Sequence, residues 1–100
     1  MALRIVLLVF IALFSRVLIF SQSVEGKVID ENGVPVPFAH VFIKNNNEAR
    51  AVTNVNGEYT LFLDPGPHDI VVKFIGYETI EQFITVSLEK NNIYNFQLVP

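Results

Sequence analysis

From Val24 onward the chain alternates between apolar and polar positions with a period of two. Val24, Gly26 and Val28 share one face of an extended run over 24–30, and Glu25 and Lys27 share the other. A second strand is expected over Phe38–Lys44, with Ala39, Val41 and Ile43 on one face and His40, Phe42 and Lys44 on the other. Arg50–Thr53 reads as a short strand, and Tyr59, Leu61 and Leu63 alternate along the next. His68–Phe74 puts Ile70, Val72 and Phe74 on one face. Glu78–Val86 turns Ile80, Ile84 and Val86 inward, with Gln82 out of step. Ile93–Val99 closes the series with Tyr94, Phe96 and Leu98. No stretch beyond Val24 combines a helical period with caps.

Turn chemistry punctuates these runs. Asp30–Gly33 is a turn, followed by Val34-Pro35-Val36-Pro37, whose prolines exclude a central strand and predict an extended crossing on the rim. Asn45–Asn47 is expected to be a loop. Thr53-Asn54-Val55-Asn56-Gly57 predicts a tight hairpin between Arg50–Thr53 and the Tyr59 strand, because Gly57 and the asparagines tolerate positive φ. Asp64-Pro65-Gly66-Pro67 is the strongest turn, Ile75-Gly76-Tyr77 a corner with Tyr77 packed beneath, and Ser87–Asn92 a polar loop. The structural turn positions are thus Gly33, Gly57, Pro65, Gly66, Gly76 and Tyr77. About seven short strands at this spacing imply an all-β sandwich.

The stretch ahead of this module differs in kind. Leu3–Phe20 is almost wholly apolar, with Arg4 in front and Ser21-Gln22-Ser23 behind, as in a helical secretory signal peptide over 1–23 cut after Ser21 or Ser23. Arg16 interrupts the run. The rival reading is an uncleaved anchor, although the run is barely long enough to span a bilayer. If uncleaved, this segment is the chain's one expected attachment to a membrane.

Charge and cysteine content narrow the function classes. The chain has seven Lys+Arg and ten Asp+Glu; without Arg4 and Arg16 five cations face ten acids, so the module carries −5. That balance argues against nucleic acid and anionic membrane surfaces as partners. With no cysteine, stability rests on core burial alone.

The residues offer little for catalysis. A zinc peptidase site needs His-x-x-Glu and a further His, but Ile43 and Val71 stand three residues after His40 and His68, the two histidines. His68 is expected to cap a turn and His40 to sit on a half-exposed strand. Neighbours His68 and Asp69 point to opposite faces of a strand, and Ser23 and Ser87 lie in terminal and loop positions, which argues against a triad. Asn54-x-Asn56-Gly57 resembles part of a calcium loop, but Val52 and Leu63 occupy the positions that would need acids. No catalytic residue, metal ligand or cofactor is expected.

One ordered set of motifs carries a family resemblance: Val24-x-Gly26-x-Val28-x-Asp30, Asn32-Gly33-x-Pro35-x-Pro37, Val41-x-Ile43, Thr53-x3-Gly57-x-Tyr59, Pro65-Gly66 and Phe74-Ile75-Gly76-Tyr77-Glu78. Together they resemble the carboxypeptidase-regulatory-like domain over 24–100. The resemblance implies a transthyretin-like (prealbumin-like) seven-strand Greek-key β-sandwich. It also implies a setting in the envelope of Gram-negative Bacteroidetes, periplasm or outer membrane, often at the front of SusC-type TonB-dependent receptors. The expected function is a non-catalytic accessory or interaction module, its partner an outer-membrane receptor or other envelope protein. A regulatory domain of a metallocarboxypeptidase catalysing elsewhere, or a stand-alone structural or carbohydrate-binding module, are the alternatives. Phe38 departs from the family, many of whose members have Gly there; a bulky contact filling the same bend is expected. Some bacterial transthyretin-like modules carry a Lys–Asn isopeptide bond, for which Lys27 and Asn95 are the positions here. Both are expected to be solvated instead.

Overall fold

The computed structural model describes residues 22–100, so the expected leader lies outside the described residues except for Gln22 and Ser23. Eight strands follow in chain order: β1 (Ser23–Ile29), β2 (His40–Ile43), β3 (Asn46–Val52), β4 (Glu58–Phe62), β5 (Gly66–Lys73), β6 (Ile80–Val86), β7 (Asn92–Ile93) and β8 (Phe96–Gln97). In one sheet β1 pairs antiparallel with β4 and, on its other side, parallel with β7 and then β8. The second sheet is antiparallel throughout, in the order β3-β2-β5-β6. The two layers form a β-sandwich.

The alternating apolar positions meet between the layers. Val24, Val28, Tyr59, Leu61, Phe96 and Leu98 project from one sheet, and Val41, Ile43, Ile70, Val72, Ile84 and Val86 from the other, all buried. Each buried aliphatic side chain contributes about 1.5–3 kcal/mol relative to exposure, the main favourable term in a domain without disulfides. Gln82 is exposed although Ile84 and Val86 on the same strand are buried. The rim segment lies where its prolines require: Pro35 bridges Ile29, and the Val36 N–H donates to the Val28 carbonyl (2.9 Å).

Four local expectations are corrected. The 53–57 turn does not close a hairpin, since β3 and β4 belong to different sheets. Thr53 still bonds to β2's side through Ala39, whereas the Gly57 carbonyl already accepts from Val28 N–H beside β1 (2.8 Å). The chain crosses between layers over 54–56. An Asn-x-Asn-Gly turn supplies the reversal in either case, and its chemistry does not encode which sheet receives the next strand.

The Asn45–Asn47 loop contracts to a two-residue turn at Lys44-Asn45, with Asn45 at φ 64. Asn46, Asn47 and Glu48 belong to β3, an edge strand on which they are all exposed, so their polarity is compatible with a strand.

The Ile93–Val99 strand is split, and Asn92, expected in a loop, starts β7 and is buried. Between β7 and β8 the Tyr94 N–H still donates to Glu25, but its carbonyl accepts from the Tyr59 hydroxyl (2.6 Å). The side-chain oxygen of Asn95 then accepts from the Lys27 backbone N–H (2.9 Å), standing in for a main-chain acceptor.

Phe38 is neither in the second strand nor a packing contact. Its φ is 63, and it is 67% exposed.

Candidate functional site

The sandwich presents its loops at two opposite ends, each with a distinct chemistry. At one end the starts of β3 and β5 and the end of β4 enclose a shallow groove of ≈ 530 Å³, with Glu48, Asp64 and His68 beside Phe62 and Leu88. His68 Nε2 is 2.8 Å from the Asp64 carbonyl, so the imidazole fastens the Asp64–Pro67 turn. Asn92 orders the neighbouring 87–92 loop. Its side chain accepts from Ser87 N–H (2.8 Å) and donates to the carbonyls of Ser87 (2.9 Å) and Ser23 (3.4 Å). The Ser87 hydroxyl accepts from Glu89 N–H (3.2 Å).

The other end is organised by Thr53, which is 2% exposed. Its hydroxyl donates to the Val36 carbonyl (2.6 Å) and accepts from Ala39 N–H (2.8 Å). Its backbone N–H donates to Ala39 and its carbonyl accepts from Phe38 N–H. Four hydrogen bonds from one residue hold the bend at Phe38. Beside this bend lies a second groove, lined by Phe38, His40, Lys73, Phe74, Ile75 and Tyr77. The rings of Phe74 and Tyr77 pack at 6.0 Å between centroids, and Gly76 between them has φ 87. Partial burial, and then the Glu31 carboxylate beside it, raise the pKa of the Tyr77 hydroxyl.

The titratable residues do not converge on one centre. His40 projects from β2 on the outer face of the second sheet, while His68 lies at the far end of β5. Among the described residues no three His, Cys, Asp or Glu side chains are grouped to hold a metal ion. In the Asn54–Gly57 turn, the Asn54 side-chain oxygen accepts from the N–H groups of Asn56 and Glu58 (both 3.0 Å), which commits it to the backbone. Lys27 and Asn95 are both exposed, and what joins them is the Lys27 backbone N–H rather than its ammonium group. Of the expected turn positions, Gly33, Gly57, Gly66 and Gly76 all have positive φ. Phe38 and Asn45 have it without being glycine.

Sequence reasoning missed Thr53 and Asn92 as organising residues, and placed Phe38 at its bend but as a packing contact rather than an exposed ring. The first two look like ordinary members of polar turns; only their burial separates them from their neighbours. A sequence signal for Phe38 did exist: a bulky residue at a bend, directly after Pro37 and ahead of the alternating run.

Comparison with known proteins fits this architecture. A TonB-dependent receptor of Formosa agariphila is 37% identical over 60 residues, 60% of this chain and 6% of the receptor. A chain in a type II cohesin–X–dockerin complex from Acetivibrio cellulolyticus superposes with a TM-score of 0.63 at 18% identity, covering 77% of this chain and 56% of that one. A DUF3823 family protein from Bacteroides ovatus gives 0.60 at 19% identity, covering 81% and 45%. At such identities the structural likenesses concern the fold alone. Residues 24–100 match the CarboxypepD_reg-like domain along their whole extent, and the chain belongs to that family.

Proposed function

We propose that this chain is a non-catalytic accessory module of a bacterial cell envelope that works with TonB-dependent uptake at the outer membrane. The observation that carries the reading is the family match over 24–100, reinforced by the identity shared with a TonB-dependent receptor. Because the matched stretch is 6% of that receptor, the module contributes recognition or positioning, and transport belongs to other parts of such a system. The dispersed histidines and the backbone-committed Asn54 and Ser87 side chains support a binding rather than a chemical role.

Export precedes that role. Of the two expected cleavage points, we take the one after Ser21; it is supported by the Gln22 carbonyl, which accepts from Leu63 N–H (3.0 Å), and by Ser23, which pairs with Phe62. Both residues are therefore part of the folded module. Fractionation of cells producing the chain tests the reading: it should be found in the envelope, co-purifying with an outer-membrane receptor. A cytoplasmic location would sink the proposal, and zinc-dependent peptide cleavage by the purified chain would sink its non-catalytic part.

A further inference from the structure

Phe38 holds a backbone conformation that a side chain with a Cβ resists, yet it stays 67% exposed. The core gains little from it. Thr53 nevertheless fixes the bend from both sides, so the ring is held at one place on the surface. Strain that surrounding structure over-determines is found where a surface is put to use. Ile75, on the same groove, is 90% exposed.

The lining of this groove carries a cation and no carboxylate. His40 and Lys73 line the groove and face each other across β2 and β5. The surface continues over the outer face of the second sheet to Phe42, Arg50 and Val52, sharing His40 and Lys73 with the Phe38 groove. No aspartate or glutamate lines either part. Arg50 lies over the Phe42 ring (5.9 Å to the centroid). Among the described residues the ion pair present is Lys44–Glu81 (2.8 Å), which leaves Arg50 and Lys73 without a carboxylate. Glu31 stands beside Tyr77 at one edge of the groove and Glu81, opposite Val71 on β6, borders the sheet face, so carboxylates flank the lining cations rather than line the surface with them.

We propose that this face docks a protein segment carrying carboxylates next to apolar side chains. An apolar side chain seats between Phe38 and Ile75, and carboxylates meet Lys73 and Arg50. Charge complementarity selects the occupant. The proposal rests on the reading of the chain as an interaction module. If the chain co-purifies with a receptor but fails the following test, only this face is refuted.

The test is a titration of the ¹⁵N-labelled full chain with a peptide alternating Asp with Phe and Leu, and with its Lys-for-Asp counterpart. The acidic peptide should shift resonances of Phe38, His40, Arg50, Lys73 and Ile75, with the basic one weaker by about tenfold or more. Phe38→Gly should weaken the acidic peptide about tenfold, with a Tm no lower than that of the parent chain. The double change Arg50→Gln, Lys73→Gln should remove the salt dependence of binding. Equal binding of both peptides, or shifts confined to other faces, would overturn the proposal. So would a lowered Tm for Phe38→Gly with unchanged affinity. Concentration-dependent self-association through these residues would assign the face to a second copy, whose opposite end carries Glu48 and Asp64. Binding to phosphatidylglycerol vesicles in place of the peptide would assign it to a membrane; either result refutes the peptide.

Discussion

Gly26 and Gly57 are required for different physical reasons. A Cβ on Gly26 would overlap the Tyr94 carbonyl oxygen, which is main chain and cannot swing away. A Cβ on Gly57 would lie 2.5 Å from the Val28 carbonyl oxygen, at a φ of 73. Gly26→Ala and Gly57→Val should each destabilise the domain by about 3 kcal/mol or more, measured by chemical denaturation. Unchanged midpoints would mean that the close approaches relax freely. Tyr59 supplies a test in pH. Burial, and then the neighbouring Tyr94, raise its pKa above the ordinary tyrosine value of about 10. The unfolded chain loses this proton first, so the stabilisation is complete below pH about 10 and declines above it, at about 1.4 kcal/mol per pH unit from this group. Tyr59→Phe should flatten the alkaline decline by that slope. At neutral pH it should cost about 1–2 kcal/mol, because the Tyr94 carbonyl loses its donor. An alkaline profile identical to the parent chain's would refute the assignment to Tyr59.

At the scale of elements, the loop that feeds β7 depends on one side chain. Asn92 is 8% exposed and binds both backbone groups of Ser87, and Gln22 Nε2 adds a bond to the Ser87 carbonyl (2.6 Å). Asn92→Ala should cost about 1–3 kcal/mol and speed proteolysis within 87–92. Stable, protease-resistant protein would show that the loop is ordered by its other contacts. This element also shows how far sequence reading reaches. The inward faces of β1, β2, β4 and β5 were legible because a half-buried strand must alternate, and Val24, Val41, Leu61 and Ile70 lie buried as the period requires. The break between β7 and β8 was not, since it depends on the Tyr94 carbonyl turning to a tyrosine 35 residues earlier. The 53–57 crossing was also misread, because local turn chemistry is shared by hairpins and by arches between sheets. The apolar groove at Phe38 shares this difficulty in part: Pro37-Phe38 marks a bend, but the exposure of the ring and its positive φ go with bonds to Thr53, fifteen residues on.

At the scale of the whole molecule, the first described residues close the sandwich. Of the 77 residues in the family match, none is Gln22 or Ser23, yet both join distant parts of the chain. Ser23 extends the β1–β4 ladder opposite Phe62, and its carbonyl receives the Asn92 amide. The Gln22 carbonyl takes Leu63 N–H just beyond β4, while its side chain reaches Ser87 beyond β6. One dipeptide thus ties β1 to β4, to the loop after β6 and to β7, at the end of the molecule where Glu48, Asp64, Phe62 and Leu88 meet. A domain with no cysteine has no covalent link to offset its loss. A chain beginning at Val24 should therefore be less stable than one beginning at Gln22 by about 2–4 kcal/mol, from at least three lost hydrogen bonds. Amide exchange should locate the loss at Leu63 and Ser87 and leave Phe38, Ala39 and Thr53 at the opposite end protected. Equal stability of the two chains would reduce Gln22 and Ser23 to a spacer and remove the physical ground for preferring cleavage after Ser21. The mass of the exported protein's N-terminal peptide would decide that point independently.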